Sequence, residues 1–136
     1  MKPIALLLIC LSFGNAFANQ KPLNYYESLS NLTLKQMEKY HLAQGIEKTK
    51  EGHWEYAISE YAFILHYFPN HPQVLALLSD LSIKHHQTER AAKYFERAVI
   101  LFPQDRKTEE MYKTFLEKTH SVRHTAKVGI SVKEKG

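Results

Sequence analysis

Residues 53–72, "HWEYAISEYAFILHYFPNHP", and residues 87–106, "QTERAAKYFERAVILFPQDR", superimpose when the chain is shifted against itself by 34 positions. Ala57 then falls on Ala91, Tyr61 on Phe95, Leu65 on Val99, Phe68 on Phe102 and Pro69 on Pro103. A fixed period of this size marks a unit that buries its apolar face against a neighbouring copy. Within the first segment Trp54, Ala57, Ile58, Tyr61, Ile64, Leu65 and Phe68 follow helical spacing. Within the second, Ala91, Ala92, Phe95, Ala98, Val99 and Phe102 do the same. Stripes at i, i+3, i+4 and i+7 are the buried faces of amphipathic helices. Pro69 and Pro103 close them, because a ring without an N–H cannot extend the helical ladder.

Each segment is preceded by a second helical stretch, "LKQMEKYHLAQGIEKTKE" (34–51) and "PQVLALLSDLSIKHH" (72–86). Thr33 with Gln36 has the form of a capping box, and Pro72 suits a first helical turn. Gly52 is placed to end the first helix in a left-handed turn. The repeating unit is therefore a helical hairpin, and the fold class is all-α.

A 34-residue hairpin with a small residue, an alanine, an aromatic and a proline at set places resembles the tetratricopeptide repeat. The small residues are Gly45 and Ser79, the alanines Ala57 and Ala91, the aromatics Tyr61 and Phe95, and the prolines Pro69 and Pro103. The resemblance implies a short right-handed α-solenoid of two hairpins, about 38–71 and 72–105, within a domain spanning 34–120. The first helix departs from the family pattern at His41, Gln44 and Lys48, where bulky or apolar residues are usual. Stacked repeats need end caps. "TEEMYKTFLEKTH" (108–120) carries Met111, Tyr112, Phe115 and Leu116 on one face and suits a C-terminal capping helix over about 106–120. "LNYYESLSNL", within the N-terminal segment 19–33, is apolar enough to pack at the other end; if it does not, a homodimer would bury the leftover surface.

The chain opens with Lys2, an apolar run from Ile4 to Phe13, and Ala16-Phe17-Ala18. This is the layout of a secretory signal peptide over 1–18, cut after Ala18, with Ala16 at the −3 position. The run falls short of the roughly 20 residues needed to cross a bilayer, and Ile9 is bulky where a lipoprotein signal would place a small residue before Cys10. Cleavage would leave 118 residues without cysteine, so neither a disulfide nor a thiol could serve. The net charge of +4 is unevenly placed. Residues 19–120 carry 13 basic and 13 acidic groups, while 121–136 carry Arg123, Lys127, Lys133 and Lys135 against Glu134. A short polar basic end of this kind reads as a disordered tail, with contact to an acidic partner or membrane surface as the alternative.

Eight histidines invite a metal reading. However, His66 and His71 straddle Pro69, and the adjacent His85 and His86 point apart, so no helical ligand pair is formed. They are expected to be surface or turn residues, with no metal and no cofactor. Trp54 and most tyrosines are expected in the core. No phosphate loop, nucleophile elbow or Ser/His/Asp arrangement is present. "NLT" at 31–33 fits a glycosylation sequon, which would be idle behind a bacterial-looking signal.

With no catalytic pattern, the expected function is that implied by the resemblance: non-catalytic binding of a protein or peptide in a groove lined by the first helix of each hairpin. By family register the groove positions are Lys39, Leu42, Ala43, Ile46 and Lys50, then Gln73, Ala76, Asp80 and Lys84. Chaperone-binding members clamp a terminal carboxylate with lysine and asparagine where Leu42 and Ile46 stand here. A partly apolar ligand is therefore expected, such as an amphipathic helix or an extended segment. The chain would be an exported, most naturally periplasmic, adaptor or scaffold for a cell-envelope, pilus or secretion assembly. The alternative is a secreted effector or surface-acting protein using the groove and the basic tail.

Overall fold

The computed structural model describes residues 21–133, with side chains described as far as Thr125. The signal-peptide reading, Ala16 and Ala18 included, lies outside the described residues. Every regular element among them is helical. Helix α1 (Leu32–Met37), a π-helical turn (Glu38–Leu42) and α2 (Ala43–Lys50) form one continuous rod. It is followed by α3 (Trp54–Tyr67), α4 (Pro72–Lys84), α5 (Thr88–Leu101) and α6 (Arg106–Lys133). The rod packs on α3, α3 on α4, α4 on α5 and α5 on α6, while α4 also touches α6. Loops of three or four residues join neighbours that pack together, which makes them antiparallel.

The rod starts earlier than the Thr33–Gln36 box predicts. Asn31 is the cap: its side-chain oxygen accepts from the N–H groups of Thr33 and Leu34 at 2.8 and 3.4 Å. Its backbone is extended, the conformation in which an asparagine oxygen reaches the free N–H groups of a first turn. Gly52 ends the rod as expected, with φ 83°, and His53 N–H reaches back to the Lys48 carbonyl at 2.9 Å. The same turn recurs 34 residues on. His86 stands in the place of Gly52 with φ 57°, and Gln87 N–H reaches the Ser82 carbonyl at 2.8 Å.

Only the first of these turns has the residue its backbone favours. A non-glycine residue in the left-handed region carries roughly 1–2 kcal/mol of strain, partly offset by the greater chain entropy that glycine loses on folding. The expected result is that His86→Gly stabilises the protein by about 0.5–1 kcal/mol while Gly52→Ala destabilises it by about 1 kcal/mol. Urea denaturation of the two variants beside the parent checks both signs.

The core is built from the stripes read in the sequence. Ala57, Ile58, Tyr61, Ile64, Leu65 and Phe68 of the first segment are buried, as are Ala91, Phe95 and Ala98 of the second. Tyr61 lies against Gly45, and its hydroxyl is 3.1 Å from Thr49 Oγ1. Phe95 stacks on Tyr112 and Phe115 of α6, with ring centroids 5.5 and 5.0 Å apart. Arg97 of α5 donates to the carbonyls of Leu65 and His66. It thereby satisfies the open C-terminal end of α3 with a charge of the favourable sign.

The polar departures at 41, 44 and 48 acquire a reason here. Their counterparts 34 residues later, Leu75, Leu78 and Ser82, are buried against the preceding hairpin, but among the described residues no hairpin precedes the first. His41 instead pairs with Glu60 at 2.6 Å and packs on Phe63, and Lys48 pairs with Glu51 at 2.6 Å. Polar residues at these sites face water where a further hairpin would otherwise pack.

Two expectations about the ends need correction. Residues 21–30 do not cover the end of the stack but run as a strap along the edge where its loops lie. There Leu23 N–H donates to the Tyr67 carbonyl at 2.8 Å and Tyr25 N–H to Asn70 Oδ1 at 2.9 Å. At the other end, α6 continues through residues 121–133, part of the stretch expected to be a disordered tail. No proline interrupts it, and Thr114 and Thr125 bond back to carbonyls of the preceding turn.

Candidate binding surface

The nine groove positions expected from the sequence divide into two sets. Lys39, Ala43, Lys50, Gln73, Ala76, Asp80 and Lys84 are exposed on the rod and on α4. Ile46 is half-buried against the core, and Leu42 is 6% exposed and belongs to the core. Leu42 is therefore corrected from ligand contact to core residue. The cause is the π turn, which fits one extra residue into its loop of helix and displaces the register copied from a regular α-helix.

Losing Leu42 removes much of the apolar character expected along the rod. What the structure supplies instead is a cleft of about 410 Å³ between α4 and α6. Ala76 and Asp80 of α4 form one side, Met111, Thr114 and Lys118 of α6 the other, and Phe95 and Phe115 lie beneath. Lys118 Nζ stands 4.0 Å from Asp80 Oδ1 across the opening, an exposed pair that contributes little to stability. Lys107, Met111 and Lys118 were missed as groove residues because about 106–120 read only as a cap. The signal was present in the period, since Phe115 follows Leu81 by 34 positions and α6 thereby occupies the place of a third first helix.

Two other concavities flank the stack. One of about 560 Å³ lies between the strap, at Asn24 and Tyr26, and the α5–α6 turn, at Phe102 and Arg106. Another of about 430 Å³ lies at the rod–α3 turn beside Trp54 and Tyr56. Trp54 is only half-buried and stacks on His85 with centroids 4.8 Å apart. Tyr26, Tyr40 and Tyr56 are exposed, unlike the buried Tyr61 and Tyr67. Of the signature residues, Gly45, Ala57, Tyr61, Pro69, Ser79, Ala91 and Phe95 are buried and Pro103 is exposed.

Among the described residues no group of three or more His, Cys, Asp or Glu side chains is placed to hold a metal ion. His71 lies in the turn between α3 and α4, as expected, but not at the surface. It is 0% exposed and caps α4, its Nδ1 accepting from Val74 N–H at 3.3 Å. The proton this leaves on Nε2 is directed at Glu38 Oε1, 2.9 Å away. The hydrogen bonds thus select the neutral tautomer protonated at Nε2. Burial lowers the ring's pKa below the ordinary 6.5, against the opposing pull of the Glu38 carboxylate.

A histidine lowered in the native state binds fewer protons there than in the unfolded chain, so stability rises with pH. Its contribution is complete above pH 6.5 and falls away as pH drops below that value toward the native pKa. Thermal melts of the parent between pH 7.5 and pH 5 are expected to show the decline, and His71→Asn, which keeps a capping oxygen but cannot titrate, to flatten it.

Asp105 is the corresponding cap of α6. Burial pushes its carboxyl up, but hydrogen bonds from Thr108, Asn70 and the Lys107 backbone outweigh this and hold it below the usual range. Asn70 joins the two caps. It donates to Asn24 Oδ1 at 3.0 Å and to Asp105 Oδ2 at 2.8 Å, and accepts from Tyr25 N–H.

Among the described residues no helix is long and apolar enough to cross a membrane. Compared with protein-family models, with curated proteins and with solved structures, the chain matches none.

Proposed function

We propose that the chain is a short right-handed solenoid of tetratricopeptide-like hairpins that binds a protein or peptide without catalysis. It acts, on this reading, as an exported adaptor or scaffold in a bacterial cell-envelope, pilus or secretion assembly. The observation that carries the reading is the α4–α6 cleft, which sets the exposed Ala76 and the half-buried Met111 over a floor of Phe95 and Phe115 between charged rims. An apolar floor with polar edges suits a side chain anchored from an extended segment or an amphipathic helix. The exposed Ala43, Gln73 and Lys84 extend the same surface along the first helices.

The alternative, a secreted effector, draws on the basic stretch 121–136, of which Ser121–Thr125 are exposed on α6. Cell fractionation separates the two: retention in the periplasm favours the adaptor, and release into the medium the effector. Either outcome requires a chain that begins at Asn19, which intact-mass measurement of the exported protein reads directly.

The cleft is tested by Ala76→Glu combined with Thr114→Glu, substitutions at exposed positions that line it. Cross-linking in the envelope followed by affinity purification is expected to lose the partner retained by the parent and by Lys93→Glu on α5, with the melting curve unchanged. Equal capture by the double variant would rule the cleft out.

A further inference from the structure

The strap of residues 21–30 is fastened to the stack at a single edge, and a buried histidine lies under the fastening. Leu23 and Tyr25 hold that edge by the backbone hydrogen bonds to the Tyr67 carbonyl and the Asn70 side chain. The Tyr25 ring lies on the His71 ring, with centroids 4.5 Å apart. His71 has no spare position for a second proton: Nδ1 is filled by Val74 N–H and Nε2 by Glu38.

We infer that His71 is a proton-operated latch, whose protonation at Nδ1 frees the strap from the edge formed by Tyr67, Asn70 and His71. A proton at Nδ1 turns the acceptor of the α4 cap into a donor facing another donor, Val74 N–H, so the bond is lost and the first turn of α4 is uncapped. The imidazolium then relieves the conflict by turning away from Val74, which displaces the Tyr25 ring that lies on it. The titratable groups set against the ring are Glu38 from the π turn and Tyr25 from the strap. Asp105, from the α5–α6 turn, lies one hydrogen bond further away through Asn70.

Glu38 works against the release, since its carboxylate attracts the charged ring. Yet it is one-third exposed while the ring is wholly buried, so water screens its attraction more effectively than it hydrates the imidazolium. The direction of the native pKa agrees, burial outweighing the carboxylate. Release would uncover the Tyr67 carbonyl and the Asn70 amide. It would also remove the Asn24 and Tyr26 wall of the 560 Å³ cleft, so the chain would present a different edge in acidic surroundings.

The test is amide hydrogen exchange by NMR on the full chain at pH 7.5 and pH 5, corrected for the intrinsic exchange rate. Leu23 and Tyr25 amides are expected to lose protection at the lower pH while Leu65 and Leu78 keep theirs. The loss should share its midpoint with the His71 imidazole signals. His71→Asn should abolish the loss, and His66→Asn, at an exposed ring, should leave it intact. If His71→Asn does not fold, the shared midpoint in the parent still decides. Unchanged protection of Leu23 and Tyr25, a midpoint that does not follow His71, or a loss that persists in His71→Asn would each overturn the latch.

Discussion

Asn70→Ala is expected to destabilise the protein by about 3–5 kcal/mol, close to the limit for one substitution. Three hydrogen bonds disappear with the side chain, one of them to a carboxylate. The residue is 0% exposed, so water cannot replace it without opening the site. Removing it leaves the Tyr25 N–H without its partner and Asp105 Oδ2 with the Thr108 hydroxyl alone, and a buried group that loses a partner bears a desolvation cost. Asn70→Asp distinguishes charge from shape: it keeps an acceptor for Tyr25 N–H but sets a second carboxylate 2.8 Å from Asp105, so the loss should be comparable at pH 7 and smaller in acid. Urea denaturation at two pH values reads both effects. A loss below about 1 kcal/mol for the alanine variant would mean that strap and loops are held by something else.

Gly45→Ala is the second large effect, expected at about 2–3 kcal/mol. A Cβ at this position would sit 2.4 Å from Tyr61 Cε1. The ring cannot easily yield, being wholly buried with its hydroxyl beside Thr49. The rod and α3 would have to separate, and dispersion contacts along their whole length would weaken. The cause can be isolated by a double-mutant cycle with Tyr61→Leu. Tyr61→Leu alone leaves a hole under the rod, and the added methyl partly fills it, so the combined loss should fall below the sum of the two single losses. Strict additivity would show that the glycine is required for its backbone rather than for the contact.

These two residues were not equally legible. Gly45 was expected as the small residue of the hairpin only through the family resemblance, and its contact with Tyr61 gives the physical reason. Asn70 carried no signal, because its partners Asn24, Tyr25 and Asp105 lie 35 to 46 residues away and no short-range pattern links them. The burial of His71 was missed for the same reason: it was expected as a surface or turn residue, whereas its roles are set by Val74 in the next turn and Glu38 in another helix. Leu42 was misplaced by a local irregularity, the π turn, which a register borrowed from regular helices does not contain. The α4–α6 cleft was half legible: Ala76 and Asp80 were expected there, but Met111 and Lys118 belong to a helix read only as a cap.

The helical hairpins, their breaks at Pro69, Pro103 and Gly52, and the stripes that form the core could all be read along the chain. These depend on interactions within a few residues and on the conformations that proline and glycine allow. The course of the strap, the burial of Asn70 and His71, and the pairing of α4 with α6 around a cleft emerge only when the helices pack. Each of these rests on groups that folding brings together from distant parts of the chain. Their energy is set by burial and hydrogen-bond geometry, quantities that do not exist until the helices have packed.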